Sequence, residues 1–126
     1  MFPITIAFGT LILALITLLA MNTTRVRGKT PRDPSPQQRE ALRRAIRTHG
    51  NNFEHGIPVI LLMLFYELNG GDANILCGIG TVYLLTRVAY SFGYLTRPAS
   101  MPQMIGAGLT YLVELSLLVL VGLKLL

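Results

Sequence analysis

Residues 44–70, RAIRTHGNNFEHGIPVILLMLFYELNG, carry ionisable and amide groups directly onto an apolar run. Within them Arg47, Asn51, Glu54 and Pro58 recur at steps of four, three and four, which on one helix places their side chains in a single stripe. An Arg, an Asn and a Glu at or below a membrane surface are costly unless they face other helices, a water-filled cavity or a ligand. The stripe is therefore expected to point inward. Its blander reading, a satisfied polar network joining helices, stays open, because membrane bundles use Asn and Glu in that way.

Composition sets the solvent. Hydrophobic residues make up 52% of the chain, Trp is absent, and the formal net charge is +5, a poor recipe for a soluble domain and a good one for a membrane bundle. A chain of 126 residues has room for at most four spans of about 20 residues each. Most of the eleven basic residues fall in one segment, as Arg25, Arg27, Lys29, Arg32, Arg39, Arg43, Arg44 and Arg47, faced only by Asp33 and Glu40. They flank apolar runs instead of decorating a polar domain, which argues for membrane topology and against a nucleic-acid partner. The single cysteine, Cys77, has no partner for an intrachain disulfide and is expected to be a small buried hydrophobe.

These patterns predict an all-α transmembrane four-helix bundle, one domain over residues 1–126 with helices at about 2–24, 36–68, 73–95 and 103–126. Residues 4–21 carry no charge, and with no Lys or Arg ahead of them they are expected to remain in the mature protein as helix one, not to be cleaved as a signal peptide. Pro31, Pro34 and Pro36 interrupt the basic segment, and Ser35 before Pro36 and two Gln is a helix start. The excess of Arg marks this loop as cytoplasmic, while NGGDAN at 69–74 holds one Asp and no basic residue, so both termini are expected on the other side. On helix three, Tyr83, Arg87, Tyr90 and Tyr94 form a second stripe, and both stripes lie toward the cytoplasmic side, where they can meet. Gly106 and Gly108 are expected to allow close helix contact. His49 and His55 fall on different helix faces, so headgroup contact is expected for them and a shared metal is not. Glu67 is expected to reach interfacial water. Glu114, alone in the middle of helix four, needs a proton, a partner or an axis to face, and its structural and functional readings stay open.

With RAIRTHGNNFEHGIP and LTRVAYSFGYL in place, the chain resembles the MAPEG family, membrane-associated proteins in eicosanoid and glutathione metabolism, and most closely its bacterial branch. The resemblance rests on an Arg-x-x-x-Asn-x-x-Glu-x-x-x-Pro pattern in helix two and an Arg-x-x-Tyr-x-x-x-Tyr pattern in helix three. It implies a four-helix bundle assembled as a homotrimer, with glutathione held between neighbouring subunits near the cytoplasmic face. It further implies that Arg47, Asn51, Glu54, Arg87, Tyr90 and Tyr94 bind glutathione, with Arg25 as a looser match. The chemistry agrees, since glutathione offers two carboxylates to Arg forks, an ammonium to Glu, and amides to Asn or Tyr. Two positions depart from the pattern. Where family enzymes place a thiol-activating Arg near the start of helix four, this chain has SMPQM with Gln103, which makes Arg97 the candidate catalytic cation. Position 90 is Tyr where many relatives carry His.

The resemblance implies a glutathione-dependent membrane enzyme, located in a bacterial inner membrane, that transfers the thiolate to a lipophilic electrophile or reduces a lipid hydroperoxide. A non-catalytic protein binding membrane lipid or glutathione is the second reading. A small multidrug exporter using Glu54 or Glu114 is the third, and the density of Arg beside Glu54 disfavours it, because such a site suits an anion better than a lipophilic cation.

Overall fold

The computed structural model describes residues 2–126, folded into four helices: α1 (Pro3–Gly28), α2 (Pro36–Leu68), α3 (Ala73–Thr96) and α4 (Met101–Lys124). Helix α1 carries Arg25 and Arg27 in its last turn, running beyond the expected residue 24. Cations are favoured at that end by the helix dipole, and nothing stops the helix before Gly28. Helix α2 opens on a reciprocal cap: Ser35 Oγ accepts the Gln38 N–H at 3.2 Å, and Gln38 Oε1 accepts the Ser35 N–H at 2.9 Å, with Pro36 supplying the fixed first-turn geometry. It runs through Pro58 and stops at Asn69, where Gly70 takes the left-handed conformation (φ 67°). Asp72 then caps α3 by accepting the N–H groups of Asn74 and Ile75.

The helices alternate in direction, so one end of the bundle gathers the basic loop and the α3–α4 connection, and the far end gathers the α2–α3 turn and both termini. At the far end Glu67 does more than meet water. Its two carboxylate oxygens accept the Ile4 and Thr5 backbone N–H groups at 3.2 and 2.8 Å, capping the first turn of α1 with negative charge and tying it to the end of α2. Lys124 Nζ donates to the Gly70 carbonyl at 3.0 Å, which fastens α4 to the same turn.

Helix α3 packs most extensively on α4, and α1 on α2, while α1 and α4 do not meet among the described residues. The core between them is Ile12, Ile16, Val59, Met63, Tyr66, Leu76, Tyr83, Val113 and Leu117. Small residues set the spacing: a Cβ at Gly106 would fall 2.7 Å from the Thr86 carbonyl oxygen, and one at Gly80 would meet the Phe8 ring. Gly108 faces open space, so of the two glycines expected to serve close contact only Gly106 does.

Outside, the bundle is apolar. Leu18, Leu85, Phe92, Leu118 and Leu123 are each more than half exposed, a surface that suits lipid and not water. Cys77 is exposed there too, contrary to the buried position expected, because α3 turns it away from its neighbours. Helices α1, α3 and α4 are long and apolar enough to cross a membrane. Helix α2 is apolar only over its second half, because its first half carries the charged and amide side chains from Arg39 to Glu54.

Candidate functional site

Helices α2, α3 and α4 converge on one guanidinium. Arg87, 1% exposed, donates from Nε to Asn52 Oδ1 at 3.0 Å, from Nη1 to Thr110 Oγ1 at 3.1 Å and from Nη2 to Asn51 Oδ1 at 2.7 Å. Its face lies over the Tyr90 ring, 4.5 Å from the centroid. Tyr94 stacks on Tyr90 with centroids 5.8 Å apart and accepts a hydrogen bond from Arg43 Nη1 at 3.3 Å. The two polar stripes of the sequence therefore meet, at Asn51 and Arg87. Three of the five guanidinium N–H groups are used, so Arg87 is mainly a joint between helices, with two donors left over.

The centre of that joint is Asn52, which the stripe of Arg47, Asn51 and Glu54 does not include. Its amide donates to the Thr48 carbonyl at 2.8 Å and to Ser91 Oγ at 2.9 Å. The available signal was the step of four from Thr48 to Asn52, with Arg87 and Ser91 at the same step on α3. The stripe itself is turned outward instead of inward: Arg47, Glu54 and Pro58 are exposed on the surface of the single chain and only Asn51 is half-buried. Helix α2 has more polar positions than the bundle can enclose, and it buries the face marked by Ala45, Thr48, Asn52, Gly56 and Val59. Among the described residues, the side chains of Arg47 and Glu54 make no hydrogen bond.

Arg25 belongs to a different surface. It donates to Asn22 Oδ1 at 2.9 Å and lines a cleft of about 670 Å³ at the basic end, with Asn22, Gln37, Glu40, Arg44 and Leu95. Neither Arg47 nor Glu54 reaches this cleft. At its edge Glu40 accepts hydrogen bonds from both Arg43 and Arg44. Those bonds, Arg43 first, hold its carboxyl down at about 2, and the same pairing raises the Arg43 guanidinium above its ordinary value. Arg97 is exposed just past the end of α3, held by its backbone N–H to the Gly93 carbonyl at 2.9 Å. Gln103 is committed locally, its Oε1 accepting the Ala99 N–H at 2.6 Å, across a loop in which Ala99 takes positive φ (57°).

A pair that the sequence did not bring together lies one turn deeper. His55 Nδ1 and Glu114 Oε1 are 2.7 Å apart across the α2–α4 seam, and the imidazole meets Tyr111 edge to face at 5.2 Å. Headgroup contact, the expectation for His55, is replaced by this pairing, and Glu114 finds in it the partner its position required. No spacing within α2 alone signals it, because the two residues are 59 positions apart. Among the described residues there is no cluster of three or more His, Cys, Asp or Glu able to hold a metal ion.

No curated protein matches the chain. The model of the MAPEG family matches residues 3–123, nearly the whole chain. Together with the three apolar spans and the lipid-suited exterior, that match makes this an integral membrane protein of glutathione and eicosanoid metabolism, and the chain belongs to the MAPEG family.

Proposed function

We propose that the protein is a glutathione-dependent membrane enzyme that transfers the glutathione thiolate to a lipophilic electrophile or reduces a lipid hydroperoxide, working as a homotrimer. The observation that carries this reading is the outward stripe on α2: Arg47 and Glu54, opposite in charge, exposed and without hydrogen-bond partners among the described residues, beside the Asn51–Arg87 contact. A cation and an anion two turns apart complement a zwitterion that has carboxylates, an ammonium and amides. The inherited ligand set of Arg47, Asn51, Glu54, Arg87, Tyr90, Tyr94 and Arg25 then divides in two. Arg25 lies on another face of the same chain, which fits a site completed by a neighbouring copy.

In this reading Asn51 is preset by Arg87, the Tyr90 and Tyr94 rings form a stacked wall, and Arg97 is the cation that holds the sulfur as thiolate. The lipophilic substrate stays dissolved in the bilayer, against the membrane lipid that coats α3 and α4. The basic loop faces the cytoplasm, in a bacterial inner membrane, by the bias of Arg toward that end. One observation favours the non-catalytic alternative, a protein that binds glutathione or membrane lipid without turnover: Gln103 is neutral and already bonded to Ala99, so Arg97 is the only cation in that loop.

Calorimetric titration of the detergent-purified protein with glutathione tests the site. Arg47→Ala and Glu54→Gln each weaken binding by about 1.5–3 kcal/mol, the worth of a hydrogen bond to a charged group, and leave thermal stability unchanged because both side chains are exposed. Normal affinity in both variants sinks the assignment. Bound glutathione that shows no thiolate absorbance in the ultraviolet, with no turnover of any electrophile, decides for the binding protein.

A further inference from the structure

His55 and Glu114 sit at a boundary. Four residues before them on their own helices, Asn51 and Thr110 hold the Arg87 guanidinium, so the pair lies one helical turn deeper than the polar joint. On its other side a groove of about 310 Å³ between α2 and α4 is lined by Pro58, Leu61, Leu62, Phe65 and Leu118, with Glu114 as the one charged group among the described residues. A polar thiol donor held at the basic end and a lipophilic acceptor held in the bilayer have to bring their reacting atoms together at such a boundary.

The imidazole is arranged for more than a clasp. Its Nδ1 is committed to Glu114 at 2.7 Å, and the Tyr111 ring fixes its plane. Its Nε2 makes no hydrogen bond among the described residues and is not among the enclosed, unpartnered atoms. A carboxylate on one ring nitrogen sets the tautomer and orientation, and leaves the other nitrogen to exchange a proton.

Resting on the glutathione reading, we propose that His55 is a catalytic proton donor to the lipophilic acceptor, that Glu114 is its positioning residue, and that the acceptor is an α,β-unsaturated carbonyl compound whose chain lies in the α2–α4 groove. As the thiolate sulfur bonds to the β-carbon, the C=C π pair moves toward the carbonyl to give an enolate. The imidazolium of His55 then delivers its Nε2 proton to the α-carbon. The ring is left neutral, with Nδ1–H on Glu114, and recovers a proton from water, which has received the proton lost by the thiol. No oxidant or reductant enters. Substitution on a nitroaryl halide ends instead with departure of halide and needs no proton at carbon, so the two acceptor types separate this role from a general one.

The test uses the full chain in detergent. The turnover ratio of a medium-chain enone to a nitroaryl halide is expected to fall roughly 100-fold in His55→Gln, within the range for loss of a general acid. In Glu114→Gln, which keeps an oxygen for the Nδ1–H bond, the ratio falls roughly 10-fold through kcat with KM for the enone unchanged. Independently of turnover, a saturated ketone of the same chain length binds the glutathione-free protein, and Leu118→Trp, which fills the groove, weakens it at least about 10-fold. Calorimetry with glutathione shows whether each variant retains a folded site. An unchanged ratio in His55→Gln, or saturated-ketone binding indifferent to Leu118→Trp, overturns the proposal and leaves the glutathione reading standing. Wild-type protein that binds no glutathione overturns both.

Discussion

Two arginines flank Asn51, and they differ in everything but charge. Arg87 is sealed inside the bundle and held by neutral groups, two amides, a hydroxyl and the face of a phenol ring. Arg47, one turn before Asn51, stands exposed with no hydrogen bond of its own among the described residues. A cation in the first setting is a structural joint, whose donors are committed to partners on the neighbouring helices. A cation in the second keeps its donors available, and can be spent on an anion that arrives from outside. The same residue type therefore supports architecture in one place and recognition in the other, and the difference lies in what surrounds it.

The largest loss of stability is expected from attacking the joint at Asn52. Asn52→Leu is similar in size but leaves the Arg87 Nε–H and Ser91 Oγ without their partner inside the bundle. Truncating one side of a buried charged hydrogen bond costs about 2–5 kcal/mol, so this variant should show the largest loss of stability in denaturant titrations of the detergent-solubilised protein. Adding Arg87→Met should return much of that loss, since replacing both partners by apolar groups of similar shape is nearly neutral. A double variant as unstable as Asn52→Leu alone contradicts the view that the cost arises from an orphaned guanidinium.

The same contrast explains what was legible in the sequence. The four helices follow from charge-free runs, prolines and caps, all of them local signals that the structure retains. The meeting of the two stripes was also legible, because Arg87 and Asn51 sit at corresponding depths on antiparallel helices. Which face of α2 would be buried was not. Helical spacing groups Arg47, Asn51 and Glu54 correctly, but Asn52 lies only 100° further round, and the choice between the two faces is made by α1, α3 and α4 packing against Ala45, Gly56 and Val59. His55 with Glu114 and Glu67 with the start of α1 are pairings between distant segments, and periodicity within one helix carries no information about either.

A smaller effect is expected at the α3–α4 seam, where the interior admits no addition and the outer surface does. At Gly106 a methyl group would press on the Thr86 carbonyl oxygen at 2.7 Å and the Tyr90 nitrogen at 2.9 Å, both backbone atoms that cannot turn aside. Gly106→Ala therefore forces the helices apart beside Arg87, and overpacking of this kind costs about 1–3 kcal/mol. Gly108, two residues on, has nothing within 4 Å of the same added carbon, and Gly108→Ala should be neutral or stabilising by up to about 1 kcal/mol through helix propensity. Equal destabilisation by both substitutions, in the same unfolding assay, contradicts the close approach assigned to Gly106.

The smallest effect concerns acid, and it reaches the outer arginines but not the Arg87 joint. Glu40 accepts hydrogen bonds from Arg43 and Arg44 at the exposed start of α2, and these lower its carboxyl from the ordinary 4.5 to about 2. A carboxylate with a depressed folded-state value contributes stability that is complete above the unfolded value, and that drains away as the pH falls from about 4.5 toward 2. The group is exposed and its pairs are screened by water and salt, so the contribution is slight. Melting temperatures of wild type and Glu40→Gln should differ a little at neutral pH and converge across that acid window. Among the described residues the hydrogen-bond partners of the Arg87 joint are Asn51, Asn52 and Thr110 and include no carboxylate, so the gap between wild type and Asn52→Leu should stay constant over the same range. A gap at Asn52 that closes together with the one at Glu40 means that acid loosens the whole bundle, and then the interior is not held by neutral partners in the way its geometry indicates.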